Sequence, residues 1–214
     1  MISIWIEEVR GTWFGVASHA NRLVATATGE DRDRALRSVH ISLPRGREHR
    51  LSENGSEHAR ALVQLLARLE AGVEEAPGFD LCPDCVGETV AAVAHVASAV
   101  LRGYVATYGG IAASAGSEAR IVGQVMATNP LYPLIPCHRV VGADLSLVGY
   151  TGSREDDALR AKLTRLRAEA RGFTAARTVT VSPGSAALTL YPVEQALARA
   201  VRDGLDEGSQ LKLF

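Results

Sequence analysis

The feature that most restricts how this chain can fold is a proline-rich stretch, Asn129–Gly142. Its sequence is NPLYPLIPCHRVVG, with three prolines in the seven residues 130–136. Proline lacks a backbone N–H and restricts the residue before it, so residues 130–136 cannot form a regular helix. The stretch therefore predicts a stiff, extended segment, half buried by its apolar residues, that carries an adjacent cysteine and histidine, Cys137 and His138.

This pair of side chains suggests a reactive thiol. An imidazole beside a thiol can lower the thiol's pKa and so generate a nucleophile. The alternative is a small cysteine buried in a strand, since free cysteine is most often a core residue. The pair alone does not decide between these two interpretations.

The composition is that of an ordered protein. Hydrophobic residues make up 47% of the chain and charged residues 22%, so the chain can bury a core. Its 214 residues are enough for one large or two small domains. No apolar run is long enough to span a membrane. The N-terminus has no basic region before its apolar residues, so we expect a cytoplasmic protein. The net charge of -1 excludes binding to nucleic acid as a general polycation but allows a local basic face.

The first part of the chain predicts an α/β N-terminal domain over residues 1–80. Alternating apolar residues predict a small antiparallel sheet. The predicted strands are 2–6, 12–17 and 22–26, with a weaker fourth strand at 38–43. A helix capped by Ser56 follows, to about residue 71. Residues 73–87 have the composition of a linker.

The second part predicts a mostly helical C-terminal domain over residues 81–171. Two short helices, 108–115 and 118–127, are joined by Gly116-Ser117, with Ser117 as N-cap, and this pattern predicts a helix-turn-helix. A plain helical hairpin is the alternative. A further helix over residues 154–171 carries a run of charges, among them Lys162, that is typical of a solvated face. Residues 172–214 form a C-terminal extension, to which we assign no function. Strands are predicted there at residues 178–181 and 187–190, and a helix from Pro192 to about Asp203.

Cys82 and Cys85 are separated by two residues in a Cys-Pro-Asp-Cys segment. This spacing allows half of a zinc site, a redox pair or a disulfide. A zinc site needs four ligands and the sequence has no second cysteine pair, so we expect no metal. We assign the pair a structural or incidental role, and the sequence leaves open whether it forms a disulfide.

Three motifs around the Cys-His pair carry a family resemblance. They are Pro136-Cys137-His138-Arg139-Val140, Asn129-Pro130 upstream and Gly149-Tyr150-Thr151-Gly152 downstream. Together they resemble the active-site signature of the O6-alkylguanine-DNA alkyltransferases, and the resemblance runs from about residue 103 to 169. It implies DNA repair by stoichiometric transfer of an alkyl group from O6-alkylguanine, with O4-alkylthymine as a further substrate, to Cys137 after base flipping. The implied partner is double-stranded DNA, bound by a monomer without cofactor or metal, in the cytoplasm or at the nucleoid of a prokaryote.

The resemblance also assigns catalytic roles. His138 would accept the thiol proton, directly or through a water, and Glu169 would orient His138. Tyr108 would donate a hydrogen bond to the base and rotate the target phosphate. Asn129 would brace the turn that leads to the cysteine.

The remaining assigned residues would contact DNA or the base. Arg120 would fill the space left by the flipped nucleotide, and Arg139 would contact DNA. Tyr150, Thr151 and Gly152 would wall the base pocket.

Two departures from the family pattern concern the shape of the DNA contact. Gln124 and Val125 are larger or more polar than is usual on the second short helix, and the segment from Tyr150 to Glu169 is longer by several residues.

There are two alternatives to alkyl transfer. A non-catalytic protein that binds alkylated DNA would replace Cys137. A cysteine hydrolase generally takes its dyad from distant segments, whereas these two residues are adjacent.

Overall fold

The computed structural model describes residues 1–72 and 79–205, which pack as two compact units. The first unit contains Met1–Ser98 and Thr128–Pro136, and the second contains Ala99–Ala127 and the residues from Cys137 onward. Part of the predicted linker, residues 73–78, and the end of the extension, residues 206–214, lie outside the described residues. The predicted domain boundaries stay a prediction.

The first unit is built on a four-stranded sheet with the order β3-β2-β1-β4. Its strands are β1 (Ile2–Val9), β2 (Thr12–His19), β3 (Arg22–Gly29) and β4 (His49–Leu51). The three long strands pair antiparallel, and β4 pairs parallel with β1. Ile2, Ile4 and Ile6 alternate toward the core, as the period of two in β1 predicts. The predicted N-terminal sheet is confirmed.

Two helices accompany this sheet, α1 (Arg32–Ser42) and α2 (Glu57–Glu70). The prediction for α2 is confirmed, including its cap, since the Ser56 side chain accepts a hydrogen bond from the Ala59 N–H. The strand predicted at residues 38–43 is wrong, because those residues belong to α1 and its C-cap. Asp31 caps α1 by accepting from the Arg34 N–H, and the buried Ala35 and Val39 lie four residues apart on one helix face.

The rest of the first unit holds two further helices, α3 (Pro83–Val86) and α4 (Glu88–Ser98). Cys82 and Cys85 form a disulfide with their Cα atoms 5.2 Å apart, and both are buried against the core beneath the sheet. The proline-rich segment packs here too: the Thr26 hydroxyl donates to the Tyr132 carbonyl oxygen, and the Tyr132 hydroxyl donates to Glu70.

The second unit contains a four-stranded sheet of its own, in the order β6-β5-β8-β7. Its strands are β5 (Tyr104–Thr107), β6 (Val140–Val141), β7 (Arg177–Val179) and β8 (Leu188–Pro192). Its helices are α5 (Tyr108–Ala115), α6 (Ala119–Thr128, whose last residue falls in the first unit), α7 (Asp156–Glu169) and α8 (Val193–Arg202). The mostly helical C-terminal domain was therefore predicted without its sheet.

The C-terminal extension is part of this second unit. β8 pairs antiparallel with β5, and Leu188 and Leu190 are fully buried. Val193, Ala196 and Ala200 of α8 share a core with Leu163 and Leu166 of α7. In residues 1–72 and 79–205, no helix is long and apolar enough to cross a membrane.

Candidate active site

Two short helices form one side of the site. The Thr107 side chain caps α5 by accepting from the Gly110 N–H at 3.0 Å. α5 ends at Gly116, whose φ of 61° is left-handed, a conformation that glycine adopts without a Cβ penalty. The predicted cap at Ser117 is wrong, because α6 begins only at Ala119 and the Ser117 hydroxyl makes no hydrogen bond with the described residues.

Cys137 lies at the start of a single 3-10 turn, Cys137–Arg139, rather than in the extended backbone that was predicted. The turn leads into β6, where Val140 pairs with Ala106 and Val141 with Thr107. Cys137 is 4% exposed. It is the free cysteine of the chain, and it also lines a pocket.

This pocket has a volume of about 430 Å³ and is formed within the second unit. Its walls bring together five of the predicted site residues with the thiol, and add small residues from α6. The predicted residues are Tyr108, Arg120, Tyr150, Thr151 and Gly152. Ala119, Gly123 and Ala127 of α6 also face it.

His138 and Glu169 form a buried pair, with 3.0 Å between His138 Nε2 and Glu169 Oε1. An ionised carboxylate only accepts hydrogen bonds, so Nε2 carries the proton and Nδ1 is left with a lone pair. Nδ1 is buried and accepts no hydrogen bond from the described residues. Burial lowers the pKa of His138, more than the bond to Glu169 raises it, so the imidazole is neutral at neutral pH. A neutral imidazole with a free nitrogen can take a proton.

Arg139 fixes the other side of Glu169. Its Nε and one terminal nitrogen donate to the two carboxylate oxygens, each at 2.8 Å, and its other terminal nitrogen donates to the Val100 carbonyl at 2.7 Å. Burial raises the pKa of Glu169, but the hydrogen bonds from His138 and Arg139 outweigh it and lower the pKa to about 2. The structure thus places Arg139 behind the His-Glu pair and does not bring it to the pocket wall.

Tyr108 is a partly buried phenol at the start of α5. Burial raises its pKa, the negative charge of Cys137 raises it further, and the guanidinium of Arg154 opposes both. The phenol therefore keeps its proton at neutral pH and can act as a hydrogen-bond donor in the pocket.

The segment 149–154 forms another wall. Tyr150 and Ser153 exchange two backbone hydrogen bonds of 2.9 Å, which closes a tight turn with Thr151 and Gly152 at its tip. Both have positive φ, 48° for Thr151 and 79° for Gly152. A β-branched residue seldom adopts this conformation, so the turn is held against a local cost of about 1–3 kcal/mol.

Lys162 is a site residue that the sequence reasoning missed. The charge pattern of residues 154–171 predicts a solvated face, but Lys162 is fully buried. Its Nζ donates to the Val140 carbonyl at 2.6 Å and to the Gly149 carbonyl at 2.9 Å. Burial lowers its pKa to about 8, against the negative charge of Cys137. Lys162 therefore connects the segment after Cys137 to the residue that precedes the Tyr150–Ser153 turn.

The position of Lys162 on its helix could have indicated that it is buried. Lys162 precedes Glu169 by seven residues and Leu166 by four, so all three share one face of α7. A lysine on the face that carries a buried acid and a core leucine is a candidate for burial.

Asn129 lies in the first unit and braces its own turn. Its side-chain nitrogen donates to the Ile135 carbonyl at 2.9 Å, and its oxygen accepts from the Leu131 N–H at 3.3 Å. These bonds shape the segment that ends at Pro136, the residue directly before Cys137. Across residues 1–72 and 79–205, no three His, Cys, Asp or Glu side chains are grouped to hold a metal ion.

Comparisons with known proteins identify the family. The family profile described as "6-O-methylguanine DNA methyltransferase, DNA binding domain" matches residues 88–171. A methylated-DNA–protein-cysteine methyltransferase from Mycobacterium leprae is 37% identical over 122 residues, which cover 56% of this chain and 68% of that protein. The chain belongs to this family.

The match to a second curated relative covers less of that protein, and two solved structures share the fold. The protein of the same name from Pyrobaculum aerophilum is 56% identical over 54 residues, and the chain spans 36% of its length. The crystal structure of O6-methylguanine-DNA methyltransferase from Pyrococcus kodakaraensis matches with a TM-score of 0.50 and 25% identity, over 76% of this chain and 99% of that one. Mycobacterium tuberculosis OGT in complex with DNA has the same fold, with a TM-score of 0.53 and 24% identity over 78% of this chain and 94% of that one.

Proposed function

We propose that this protein repairs DNA by transferring the alkyl group of O6-alkylguanine to its own Cys137, once per molecule. The observation that carries the proposal is the Cys137 thiol in the wall of a pocket, directly followed by a histidine that is hydrogen-bonded to a buried carboxylate. The family membership supports it. O4-alkylthymine is a further substrate of the same chemistry.

The proton transfers follow from the tautomer of His138. Nδ1 accepts the thiol proton, directly or through a water, while the Nε2–H stays bonded to Glu169 and stabilises the cation that forms. The sulfur then attacks the alkyl carbon. A C–S bond forms as the bond between that carbon and O6 breaks, and the electron pair of the broken bond stays on the guanine.

Tyr108 is the proton donor for the departing base. Its raised pKa keeps the hydroxyl protonated, so it can donate to the guanine as negative charge builds there. The proton that His138 took from the thiol then returns to the Tyr108 oxygen, directly or through water. The thiol has then lost one proton, the base has gained one, and the products are a neutral thioether and guanine. Arg139 acts on this step through Glu169, whose charge and position it fixes.

A base inside a duplex cannot reach Cys137, so the target nucleotide has to be extruded. α5 and α6 serve as a helix-turn-helix, with the small residues Ala119, Gly123 and Ala127 allowing α6 to approach a DNA groove. Arg120, at the start of α6, fills the space that the extruded base leaves. Tyr150, Thr151 and Gly152 hold the base in the pocket. The protein works as a monomer on double-stranded DNA, in the cytoplasm or at a nucleoid.

The alternative is a protein that binds alkylated DNA without transfer. Such a protein needs the pocket and Arg120 but not the pair of Cys137 with His138. The presence of both next to the buried Glu169 favours transfer.

Mass spectrometry tests the proposal. After incubation with duplex DNA that contains one O6-methylguanine, peptide mapping should find one added methyl group on Cys137 and unmodified guanine in the DNA. Cys137→Ser should bind the same duplex without transfer, because an alcohol is a much weaker nucleophile at neutral pH.

Two results would contradict the proposal. Methyl transfer to Cys82 or Cys85 with Cys137 unmodified would remove Cys137 as acceptor. Tight binding of the methylated duplex by the wild-type protein, with no methyl group on the protein, would support the binding-only alternative.

A further inference from the structure

Arg154 lies on the pocket wall beside the proposed machinery, and the family motifs do not account for it. It belongs to the segment between the base-pocket turn and α7 and lines the same pocket as Cys137 and Arg120. Its side chain is exposed and makes no hydrogen bond or ion pair with the residues that the structure describes. An arginine in a protein pocket without an acidic partner is a cation available to a ligand.

The backbone around Arg154 is fixed, so its position is not that of a loose loop. On one side, the two hydrogen bonds between Tyr150 and Ser153 close the turn. On the other, the Glu155 N–H donates to the Ser153 hydroxyl at 3.1 Å, and α7 begins at Asp156. The side chain is therefore anchored at the wall with its charged end able to move.

The charge of Arg154 acts inside the pocket. It is close enough to the Tyr108 hydroxyl to oppose the rise in that group's pKa. The three acids that follow, Glu155, Asp156 and Asp157, lie outside the pocket lining. Arg154 is therefore the charged residue of segment 154–157 that lines the pocket.

We propose that Arg154 binds a backbone phosphate of the target strand next to the extruded nucleotide. The inference rests on the proposed function, since it needs a flipped base in the pocket. Planar guanidinium groups bind phosphate oxygens through two parallel hydrogen bonds, which a fixed backbone and a free side chain allow. Arg120 from α6 and Arg154 from the α7 side would then hold the strand from two different elements.

The salt dependence of DNA binding tests this inference. Affinities for a duplex with one O6-methylguanine are measured from about 50 to 200 mM KCl in a Cys137→Ser background, where no transfer occurs. Arg154→Ala should reduce the magnitude of the slope of log K against log salt by about 0.9, the value for one lost phosphate contact. Arg154→Lys should restore most of it. Arg160→Ala, which removes an exposed arginine of α7 outside the pocket lining, is the matched control and should keep the wild-type slope.

A second measurement separates phosphate binding from an effect on Tyr108. With Cys137 intact, Arg154→Ala should slow transfer from duplex far more than reaction with free O6-benzylguanine, which has no phosphate. An equal loss in both reactions would mean that Arg154 acts through Tyr108, and an unchanged salt slope would mean that it contacts no phosphate. Either result overturns the inference while the wild-type protein still transfers. A wild-type protein that transfers nothing would instead overturn the proposed function.

Discussion

At the scale of single residues, the His138–Glu169–Arg139 cluster concentrates the electrostatics of the site. One carboxylate accepts hydrogen bonds from both partners and is 11% exposed. Because its two oxygens are both occupied, Glu169 sets the tautomer of His138 and holds the Arg139 guanidinium in place. Losing its charge should therefore affect stability as well as proton transfer.

The first prediction concerns acid stability. Glu169 has a pKa of about 2 in the folded protein against 4.5 for the ordinary group, so the folded state binds fewer protons in this range. Its contribution, about 3 kcal/mol, is fully present above pH 4.5 and is lost as the pH falls toward 2. Unfolding of Glu169→Gln followed between pH 6 and pH 3 should show a flatter loss of stability than the wild type, by about 2 kcal/mol, because the rest of the contribution is lost only below pH 3.

The exposed Glu155 provides the control for this prediction. Glu155→Gln should leave the pH dependence of stability close to that of the wild type, since this residue has no buried partner. Parallel curves for wild type and Glu169→Gln would show that the carboxylate is not held in its charged form by His138 and Arg139.

The second prediction concerns Lys162. Its ammonium group stabilises a thiolate at Cys137 and bonds two carbonyl oxygens, so Lys162→Met should slow alkylation by free O6-benzylguanine and move the pH at half-maximal rate upward. Below about pH 8 the wild-type lysine is charged, so the difference between the proteins should be largest there. Rates measured from pH 6 to 9 test this, with Arg160→Met as the matched surface change. A slower reaction with an unmoved pH profile would restrict Lys162 to holding the pocket turn.

The sequence predicts some of these site residues and not others. His138 and Glu169 could be paired only through the family resemblance, because nothing in the spacing of a single acid 31 residues away indicates contact. The burial of Lys162 was not predicted, for a physical reason. A charged residue is assumed to face water, and burial becomes favourable only when partners supplied by the fold satisfy its hydrogen bonds.

At the scale of elements, the pocket depends on short pieces of regular structure held at their ends. Thr107 caps α5, Gly116 ends it, and the turn at Thr151-Gly152 is closed by two backbone hydrogen bonds. Such ends are encoded locally, so α5 was predicted with its observed bounds. α1 was mistaken for a strand because only residues 38–43 were considered, whereas its cap at Asp31 and the Ala35–Val39 spacing lie earlier.

The third prediction belongs to α6. Arg120 is exposed at the start of this helix and lines the pocket. If Arg120 fills the space that the extruded base leaves, Arg120→Ala should reduce the rate of transfer from duplex DNA by about 10-fold or more. Extrusion costs a few kcal/mol, and each 1.4 kcal/mol corresponds to about a tenfold change. Reaction with free O6-benzylguanine should fall much less, because no base has to be extruded.

Gln124→Ala is the comparison for Arg120, because Gln124 is exposed on the same helix and lines the same pocket. It should have a smaller effect on duplex repair. An equal fall of the duplex and free-base rates in Arg120→Ala would assign Arg120 to the shape of the pocket and would weaken the helix-turn-helix proposal.

At the scale of the whole molecule, the described part of the C-terminal extension, residues 172–205, packs into the second unit. The sequence pattern predicted two strands and a helix in the extension, and β7, β8 and α8 lie close to those positions. Their place in the sheet of the second unit was not predictable, because pairing between β5 and β8 joins segments distant in sequence and neither strand specifies its partner alone.

The fourth prediction tests this structural role. Leu190→Ala on β8 removes a fully buried side chain and should destabilise the protein by about 2–5 kcal/mol, although Leu190 is far in sequence from Cys137. Val201→Ala on α8, at a side chain that is 57% exposed, should change stability by less than about 0.5 kcal/mol. Chemical denaturation measures both. Equal stabilities would mean that the extension does not support the second unit.

The pairing of β5 with β8 also has a consequence for synthesis. A ribosome releases Tyr104, the pocket helices and Cys137 well before Leu188–Pro192, so the nascent chain carries an open strand edge while its reactive thiol is already made. A chain interrupted in that interval would keep this edge exposed and be open to proteolysis. Under the proposed function each copy is used once, so a chain that lacks β8 would be lost to proteolysis before it could repair a lesion.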